Sequence, residues 1–340
     1  MTRLVFITQQ VDPESPVLGA TVAKIRALAG LVDEVVVIAD GAVEGALPAN
    51  CRVRTFRAPS RAGRGARFEA ALARELGRRA RPAALVAHMC PIYALLAAPL
   101  ARPLGVRVLL WYTHWRASRL LAAAERVASA VITVDRRSFP LASRKVVPIG
   151  HGIDLSGYPC VDRPARDALA LLMLGRTSPA KGIATVIRAV ASVPDVVLAQ
   201  YGPSLTDEER RHRVELERLV AELGVGDRVA IGDGVAAGEV PGLLAAADCL
   251  VNNMRSGATD KVVFEAAATC LPVLASNPAL DTLLPPHLLF PRDDAAALAA
   301  RIGEIARADR AAIGRELRAR VERAHSVESW AERVLAVAAA

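Results

Sequence analysis

The sequence lacks the features that would place it in a membrane or lead it into a secretory pathway. Its longest uncharged run, LVAHMCPIYALLAAPL, contains a histidine and two prolines and is too short to span a bilayer. The apolar run in the N-terminal MTRLVFITQQVD is shorter than a signal peptide needs, and no small-residue cleavage site follows it. We therefore expect a soluble, cytoplasmic protein.

Cysteine patterns of a structural kind are also missing. The five cysteines, Cys51, Cys90, Cys160, Cys249 and Cys270, are odd in number and form no CxxC pair. This argues against both a disulfide framework and a zinc knuckle. We expect buried free thiols.

The composition is that of a globular protein with more than one domain. The chain has 340 residues, of which 53% are hydrophobic and 23% are charged. That balance supplies ordinary hydrophobic cores and excludes wholesale disorder. A chain of this length favours two domains over one.

Short apolar runs alternate with longer segments of helical periodicity from end to end. Examples are the strand-like RLVFITQ, EVVVIAD and LALLMLGR and the helical patterns at Ala20–Ala29 and Ala66–Arg79. Such alternation predicts parallel strands joined by crossover helices. We therefore predict two doubly wound α/β domains, with a boundary near residues 155–167 and a ligand-binding cleft between the domains.

The segment SGATDKVVFEAAATC predicts a helix with an unfavourable order of charges. Thr259 or Asp260 can cap its start, and Lys261 and Glu265 share the edge opposite the apolar stripe. An exposed i,i+4 ion pair is one interpretation, but a first-turn lysine faces the positive end of the helix dipole and Lys-to-Glu is the weaker order. Amides and a lysine at a helix start can bind phosphate, and a carboxylate one turn later can accept hydrogen bonds from sugar hydroxyls. We favour this ligand-binding interpretation.

A second candidate anion site lies in LMLGRTSPAKGIATVIRAV. A predicted strand ends at Gly175, a loop with Arg176 and Lys181 follows, and a helix begins after Gly182. The spacing fits neither a Walker A loop nor a GxGxxG fingerprint, and a solvent-exposed loop is the alternative. The carboxyl end of a strand that opens a domain is, however, where α/β folds bind ligands.

Several segments together resemble GT-B glycosyltransferases of the large group 1 family, which are retaining enzymes that use nucleotide-sugar donors. GRTSPAKGIATVIRA is similar to the family's GR…KG segment and GATDKVVFEAAATCLPVLAS to its signature helix. VVPIGHGIDLSGY resembles the interdomain segment, SVESWAERVL the final helix, and EVVVIAD, ALVAHM and YTHW the sheet edge of the first domain. The resemblance extends over essentially the whole chain.

The resemblance implies a GT-B fold of two Rossmann-like domains. Residues 1–160 would bind the acceptor, residues 161–325 the nucleotide sugar, and residues 326–340 would form a helix that packs back on the first domain. The implied reaction moves a sugar from a nucleoside-diphosphate sugar to a hydroxyl acceptor with retention at the anomeric carbon. No Asp-x-Asp motif is present, as in a GT-B enzyme that holds its diphosphate without a metal, so we expect no metal and no cofactor besides the donor.

The resemblance also implies roles for single residues. Arg176 and Lys181 would bind the donor diphosphate and stabilise the charge that develops on it. Glu265 would hold the ribose hydroxyls. Further donor contacts would come from Lys261, Gly257, Thr259 and Asp260. Gly257 occupies the position of the first glutamate of the family's usual pair, which makes the donor sugar an open question.

Four more residues match family positions, each with a structural alternative. His114 lies where the family has a histidine near the transferred sugar, and a satisfied strand-end histidine is the alternative. Gly19 corresponds to the glycine pair of the first loop, reduced here to one. Gly202 and Gly234 occupy loop positions near the nucleotide and could equally be turn formers.

The formal charge of +8 is concentrated between residues 51 and 82, where ten arginines face two glutamates. The predicted helix there gathers four arginines on one stripe: Arg67, Arg74, Arg78 and Arg81. A solvated face is one interpretation. Docking to anionic lipid at the inner membrane face, or to an anionic acceptor, is the other. Nucleic acid is disfavoured because no recognition motif or stacking platform accompanies the charge.

Two other function classes remain open. Another GT-B activity, such as a nucleotide-sugar epimerase or a phosphorylase, would release no nucleoside diphosphate in an acceptor-dependent way. A non-catalytic nucleotide-sugar-binding or membrane-associated protein is suggested by Gly257, and the presence of Arg176, Lys181 and Glu265 argues against it.

Overall fold

The computed structural model describes residues 2–15, 18–164, 166–257 and 259–340. The chain divides into two compact units, one of Met1–Asp154 with Ala324–Ala340 and one of Leu155–Arg323. We refer to them as unit 1 and unit 2 and describe each by itself.

Unit 1 is built on a parallel sheet of seven strands in the order β3-β2-β1-β4-β5-β6-β7. Its strands are β1 (Arg3–Val11), β2 (Glu34–Ala42), β3 (Cys51–Thr55), β4 (Ala84–His88), β5 (Arg107–Trp111), β6 (Ala130–Thr133) and β7 (Val146–Pro148). Its helices are α1 (Ala20–Leu31), α2 (Arg61–Leu76), α3 (Pro91–Ala101) and α4 (Arg119–Val127), and it also contains the last helix of the chain.

The central strands of this sheet are buried on both faces. Leu4, Val5, Phe6 and Ile7 of β1 have no exposed surface, which explains why such strands are continuous apolar runs and do not alternate with polar residues.

Helix α2 begins earlier than the sequence pattern predicts. The expected span was Ala66–Arg79, whereas the helix runs from Arg61 to Leu76. Ser60 caps it, since its Oγ accepts a hydrogen bond from the Gly63 amide at 3.0 Å. Two early glycines lower the helix propensity of the first turns and hide this start.

A buried ion-pair network lies at the amino ends of β1 and β2. Arg3 is 1% exposed and contacts Glu34 (Nε–Oε2, 2.5 Å) and Glu75 of α2 (Nη2–Oε2, 2.6 Å). These two carboxylates are also the partners of three further arginines: Arg52, Arg54 and Arg78. Part of the arginine-rich segment therefore neutralises buried carboxylates.

Unit 2 is built on a parallel sheet of five strands in the order β10-β9-β8-β11-β12. Its strands are β8 (Leu169–Leu174), β9 (Val196–Tyr201), β10 (Val229–Gly232), β11 (Cys249–Asn252) and β12 (Val273–Ala275). Its helices are α5 (Ile183–Ser192), α6 (Asp207–Glu222), α7 (Val240–Ala246), α8 (Lys261–Ala268), α9 (Ala295–Arg307) and most of α10 (Arg310–His325).

One prediction about the cysteines is wrong. Cys160 and Cys270 form a disulfide, whereas Cys51, Cys90 and Cys249 are free thiols, of which only Cys249 is buried as expected. The bonded pair is separated by 110 residues in sequence, so local cysteine spacing could not reveal it.

The last helix, α11 (Val327–Ala339), belongs to unit 1 and lies against α1. Trp330 anchors it, being fully buried and edge-on to Trp111 at 5.5 Å between ring centroids. The Lys24 ammonium of α1 lies 5.7 Å from the Trp330 ring centroid. Within the described residues no helix is both long enough and apolar enough to cross a lipid bilayer.

Candidate functional site

The candidate donor site lies at the carboxyl edge of the unit 2 sheet. β8 is the central strand, with β9 on one side and β11 on the other, so the loops that follow these strands are neighbours. These loops carry Arg176, Lys181, Gly202 and Asp260. Ligands bind at this edge in open parallel α/β sheets.

Close backbone approaches fix the ends of β8 and β9. A Cβ atom on Gly202 would lie 1.9 Å from the Gly175 carbonyl oxygen, and one on Gly175 would lie 2.8 Å from the Lys181 side chain. Gly175 also has φ of +134°, which favours glycine. Gly234, after β10, approaches Pro203 at 3.0 Å by the same measure. The glycines at these positions therefore allow tight packing beside Arg176.

Lys181 is held against the start of α8. Its Nζ lies 2.6 Å from Asp260 Oδ2, and Asn252 Nδ2 donates to the same oxygen at 2.8 Å. Asp260, one of the two predicted caps, is the N-cap residue of α8, but its side chain makes no capping hydrogen bond.

The loop that carries Lys181 is fixed by its following glycine. Gly182 has φ of +59°, and a Cβ atom there would lie 2.2 Å from Asn253 Nδ2. That nitrogen donates to the Gly182 carbonyl at 3.0 Å. Asn252 and Asn253 were not singled out from the sequence, although both directly follow an apolar strand pattern.

Glu265 is a buried carboxylate with two partners on one oxygen. It is 4% exposed, whereas the Lys261 side chain is 44% exposed. Lys261 Nζ lies 2.6 Å from Glu265 Oε1, and the Tyr158 hydroxyl donates to the same oxygen. The i,i+4 ion pair therefore forms, but its carboxylate is buried, which the exposed-pair interpretation did not anticipate.

Arg176 contacts a carboxylate that also caps a helix. Arg176 Nη1 lies 3.0 Å from Glu209 Oε1. Glu209 Oε2 accepts from the Leu205 amide at 2.8 Å, and Glu209 and Thr206 form a capping box at the start of α6. The motif Thr-x-x-Glu could have revealed the cap from sequence, but not its contact with Arg176.

The remaining donor-side predictions lie at the turn before α8. Gly257 has φ of +84°, a conformation that favours glycine, and Thr259 is buried. The amides expected to contact phosphate run from Gly257 to Asp260, and Ala258 among them lies outside the described residues. The turn and the helix start thus flank Lys181 on the side of Asp260.

His114 and Gly19 lie in unit 1. His114 is exposed in the loop after β5, where its Nδ1 accepts a hydrogen bond from the Arg116 amide at 3.0 Å and its ring stacks on Trp115 at 5.4 Å between centroids. Accepting at Nδ1 leaves Nε2 to carry the proton of the neutral ring. A Cβ on Gly19 would lie 2.6 Å from the Pro13 carbonyl oxygen, so this tight turn requires glycine.

The four arginines proposed for membrane or acceptor contact are exposed on or after α2. Three of them are also bound locally: Arg67 to the Arg57 carbonyl, Arg78 to Glu75 at 3.4 Å, and Arg81 to the Leu104 carbonyl at 3.3 Å. Arg74 lies in the last turn, where a cation is favourable to the helix dipole. No group of three metal-ligating side chains occurs in the part of the chain that the structure describes.

Comparisons with known proteins support the glycosyltransferase class that the carboxyl edge of the unit 2 sheet suggests. Residues 168–308 match the family model described as Glycosyl transferases group 1. The match covers less than half of the chain, and the matched residues include Arg176, Lys181 and Glu265. No curated protein sequence matches the chain significantly.

The fold of the whole chain is shared with solved structures. Sucrose-phosphate synthase from Thermosynechococcus elongatus superimposes with a TM-score of 0.77 at 21% identity, covering 99% of this chain and 98% of that one. Anabaena Alr3699/HepE, solved in complex with UDP and glucose, gives 0.76 at 18% identity, with 99% of both chains covered. A glycosyltransferase from Rickettsia africae gives 0.77 at 13% identity, covering 99% and 97%. The predicted GT-B class, with two parallel-sheet α/β domains, is confirmed.

Proposed function

We propose that the protein is a retaining glycosyltransferase that moves a sugar from a nucleoside-diphosphate sugar to a hydroxyl acceptor. The observation that carries this proposal is the carboxyl edge of the unit 2 sheet, where Arg176, Lys181 and Lys261 lie against the carboxylates of Glu209, Asp260 and Glu265 in turn. The group 1 domain match and the complex of the Anabaena protein with UDP and glucose support it.

Each group in this site has a chemical task that its surroundings permit. Arg176 and Lys181 bind the diphosphate and stabilise the negative charge that grows on it as the glycosidic bond breaks. Oε2 of Glu265 accepts hydrogen bonds from ribose hydroxyls, since Oε1 is held by Tyr158 and Lys261. For His114, which lies in unit 1, the family resemblance supports a separate role, a hydrogen bond to a hydroxyl of the transferred sugar.

The cations do their work mainly in the transition state. Charge on the diphosphate increases as the bond to the sugar breaks, so interactions with it become stronger along the reaction. Removal of one such donor lowers kcat by about 100- to 1,000-fold in comparable sites. Arg176→Ala and Lys181→Ala should therefore reduce kcat more than they reduce donor affinity.

The first experiment measures nucleotide binding by thermal shift and calorimetry with UDP, GDP, ADP and dTDP. A nucleotide at about 100 times its Kd stabilises the folded protein by about 2.7 kcal/mol. Arg176→Ala, Lys181→Ala and Glu265→Ala should each reduce the shift, whereas Arg188→Ala, an exposed arginine on α5, should retain it in full. If no nucleotide binds the wild type, the proposal is wrong.

The second experiment tests transfer and its stereochemistry. With the donor whose nucleotide binds, release of the nucleoside diphosphate should depend on an added acceptor, and NMR should show that the anomeric configuration of the donor is kept. An inverted product would contradict retention alone. Interconversion of the donor sugar without acceptor would point to an epimerase, and binding without any turnover to a non-catalytic protein.

A further inference from the structure

A cavity of about 670 Å³ lies at the carboxyl edge of the unit 1 sheet, outside the candidate donor site. It lies where β1, β2 and β3 end and where α2 and α3 begin, and all its lining residues belong to unit 1. Its volume is in the range typical of small-molecule sites.

Three lining residues of the cavity are buried aromatic side chains, namely Phe56, Phe68 and Tyr93. Phe68 and Tyr93 are stacked with 5.8 Å between ring centroids, and Phe56 meets both rings edge-on at 5.6 and 6.0 Å. Two apolar side chains of the lining, Val43 and Ile92, are 49% and 40% exposed. This part of the cavity therefore offers apolar surface to a ligand.

The lining of the cavity is also cationic. Arg57, Arg61 and Arg64 all line the cavity. In the described chain, the only carboxylate near them is Asp40, whose Oδ2 lies 3.6 Å from Arg64 Nη1. Three guanidinium groups thus face one carboxylate, and Arg57 and Arg61 have no ion-pair partner among the described residues. A ligand with a phosphate or carboxylate group would neutralise them.

A glycine keeps the cavity open at the cost of helix stability. Gly65 lines the cavity from within α2, and a Cβ atom there would meet no atom within 4 Å. Glycine inside a helix is unfavourable relative to alanine, and no protein atom requires it at this position. The space in front of Gly65 is cavity, so a larger side chain at residue 65 would occupy it.

We propose that this cavity binds the acceptor and that the acceptor is an amphiphilic anion. Its phosphate or carboxylate group would lie against Arg57, Arg61 and Arg64, and its apolar part would pack on Val43 and Ile92, the exposed apolar side chains of the lining. The role of this ligand as the acceptor rests on the proposed glycosyltransferase function, whereas its chemical class rests on the cavity alone. A soluble amphiphile and the exposed part of an anionic lipid share this chemistry.

Calorimetric titration tests the ligand class with 1-naphthyl phosphate, 1-naphthol and inorganic phosphate. The amphiphile should bind at least tenfold more tightly than either half, and its affinity should fall as salt is raised. The double variant R57Q/R61Q should lose at least tenfold in affinity and Gly65→Leu should lose binding. Arg102→Gln, an exposed arginine of unit 1 outside the cavity, is the matched control.

Folding and the source of the ligand are controlled separately. Gly65→Ala should raise the melting temperature, because alanine favours the helix, yet weaken naphthyl phosphate binding. Vesicles of phosphatidylglycerol, compared with phosphatidylcholine vesicles and with soluble octyl phosphate, distinguish a lipid from a free amphiphile. Binding to vesicles that R57Q/R61Q abolishes would identify the lipid source.

The outcomes separate this inference from the proposed function. If naphthyl phosphate fails to bind the wild type, or binds Gly65→Leu equally well, the inference is wrong even when nucleotides bind unit 2. If it binds the cavity while no nucleotide binds, the ligand class holds and the acceptor role is lost. When both hold, naphthyl phosphate should inhibit acceptor-dependent nucleotide release, and Gly65→Leu should retain the nucleotide thermal shift.

Discussion

Replacing Tyr158 with phenylalanine should test how the buried carboxylate of the candidate site is held. Tyr158 donates to Glu265 Oε1, and Glu265 is buried. A hydrogen bond to a charged group contributes about 1.5–3 kcal/mol, and a buried carboxylate that loses a donor keeps its desolvation penalty. We therefore expect Tyr158→Phe to destabilise unit 2 by about 2 kcal/mol.

The companion variant, Lys261→Ala, should cost less despite removing a full charge. Lys261 is 44% exposed, and it precedes Glu265 in the weaker order for an i,i+4 pair. Solvent screening leaves such pairs with about 0.3–0.5 kcal/mol. We therefore predict that loss of the neutral Tyr158 hydroxyl costs more stability than loss of the Lys261 ammonium. This ranking follows from burial, whereas a simple count of charges predicts the opposite order.

Chemical denaturation and scanning calorimetry measure both variants. For a domain of this size, 1 kcal/mol shifts Tm by about 2–4 °C, so Tyr158→Phe should lower the unit 2 transition by about 4–8 °C and Lys261→Ala by about 2 °C or less. A double-mutant cycle with Glu265→Gln should show coupling for Tyr158. A larger loss for Lys261→Ala than for Tyr158→Phe would refute the reasoning.

Three further perturbations have defined outcomes. Gly202→Ala should destabilise unit 2 by about 1–3 kcal/mol in denaturant, because the new Cβ would lie 1.9 Å from a backbone carbonyl oxygen, whereas Gly226→Ala, which meets no atom within 4 Å, should not. Cys160→Ser should lower stability by about 2–5 kcal/mol under non-reducing conditions, and dithiothreitol should do the same to the wild type but not to the variant. Burial and a neighbouring lysine charge lower the pKa of His88 to about 3. As pH falls below about 6.5, the unfolded state therefore binds a proton that the folded state does not bind. The free energy of unfolding should then fall by about 1.4 kcal/mol per pH unit. His88→Gln should make that slope shallower in urea titrations between pH 6 and 4; an unchanged slope would exclude His88 as its source.

Elements with strong local patterns were predictable from the sequence, and elements with weak ones were not. Helix α7 spans Val240–Ala246 as predicted, because its apolar residues lie between clear turn signals. The first turns of α2 were missed, since Gly63 and Gly65 oppose helix formation there. Helices α9 and α10 were also not proposed, and α10 has a polar, arginine-rich pattern with little periodicity.

The candidate residues of the site could be proposed from the sequence by residue type, whereas their contacts could not. Arg176, Lys181 and Glu265 stand out because basic and acidic residues follow apolar strands or begin a helix. Tyr158 gives no such signal, because it is 107 residues away from Glu265 and only the folded chain brings the two together. The same holds for the disulfide, which joins positions that share no local motif.

The ion pairs at the candidate donor site bear on how a diphosphate would bind. Arg176, Lys181 and Lys261 are each paired with a carboxylate, and these partners are Glu209, Asp260 and Glu265. A diphosphate would not meet bare cations; it would compete with carboxylates that already neutralise them. Binding then exchanges one anion for another, so its net electrostatic gain is smaller than three unpaired cations would supply. Before a ligand arrives, the ion pairs also keep the cations oriented and stabilise this edge of the sheet. The cavity of unit 1 differs in this respect, because two of its three arginines have no carboxylate partner among the described residues, and an anion there would gain attraction without displacing another.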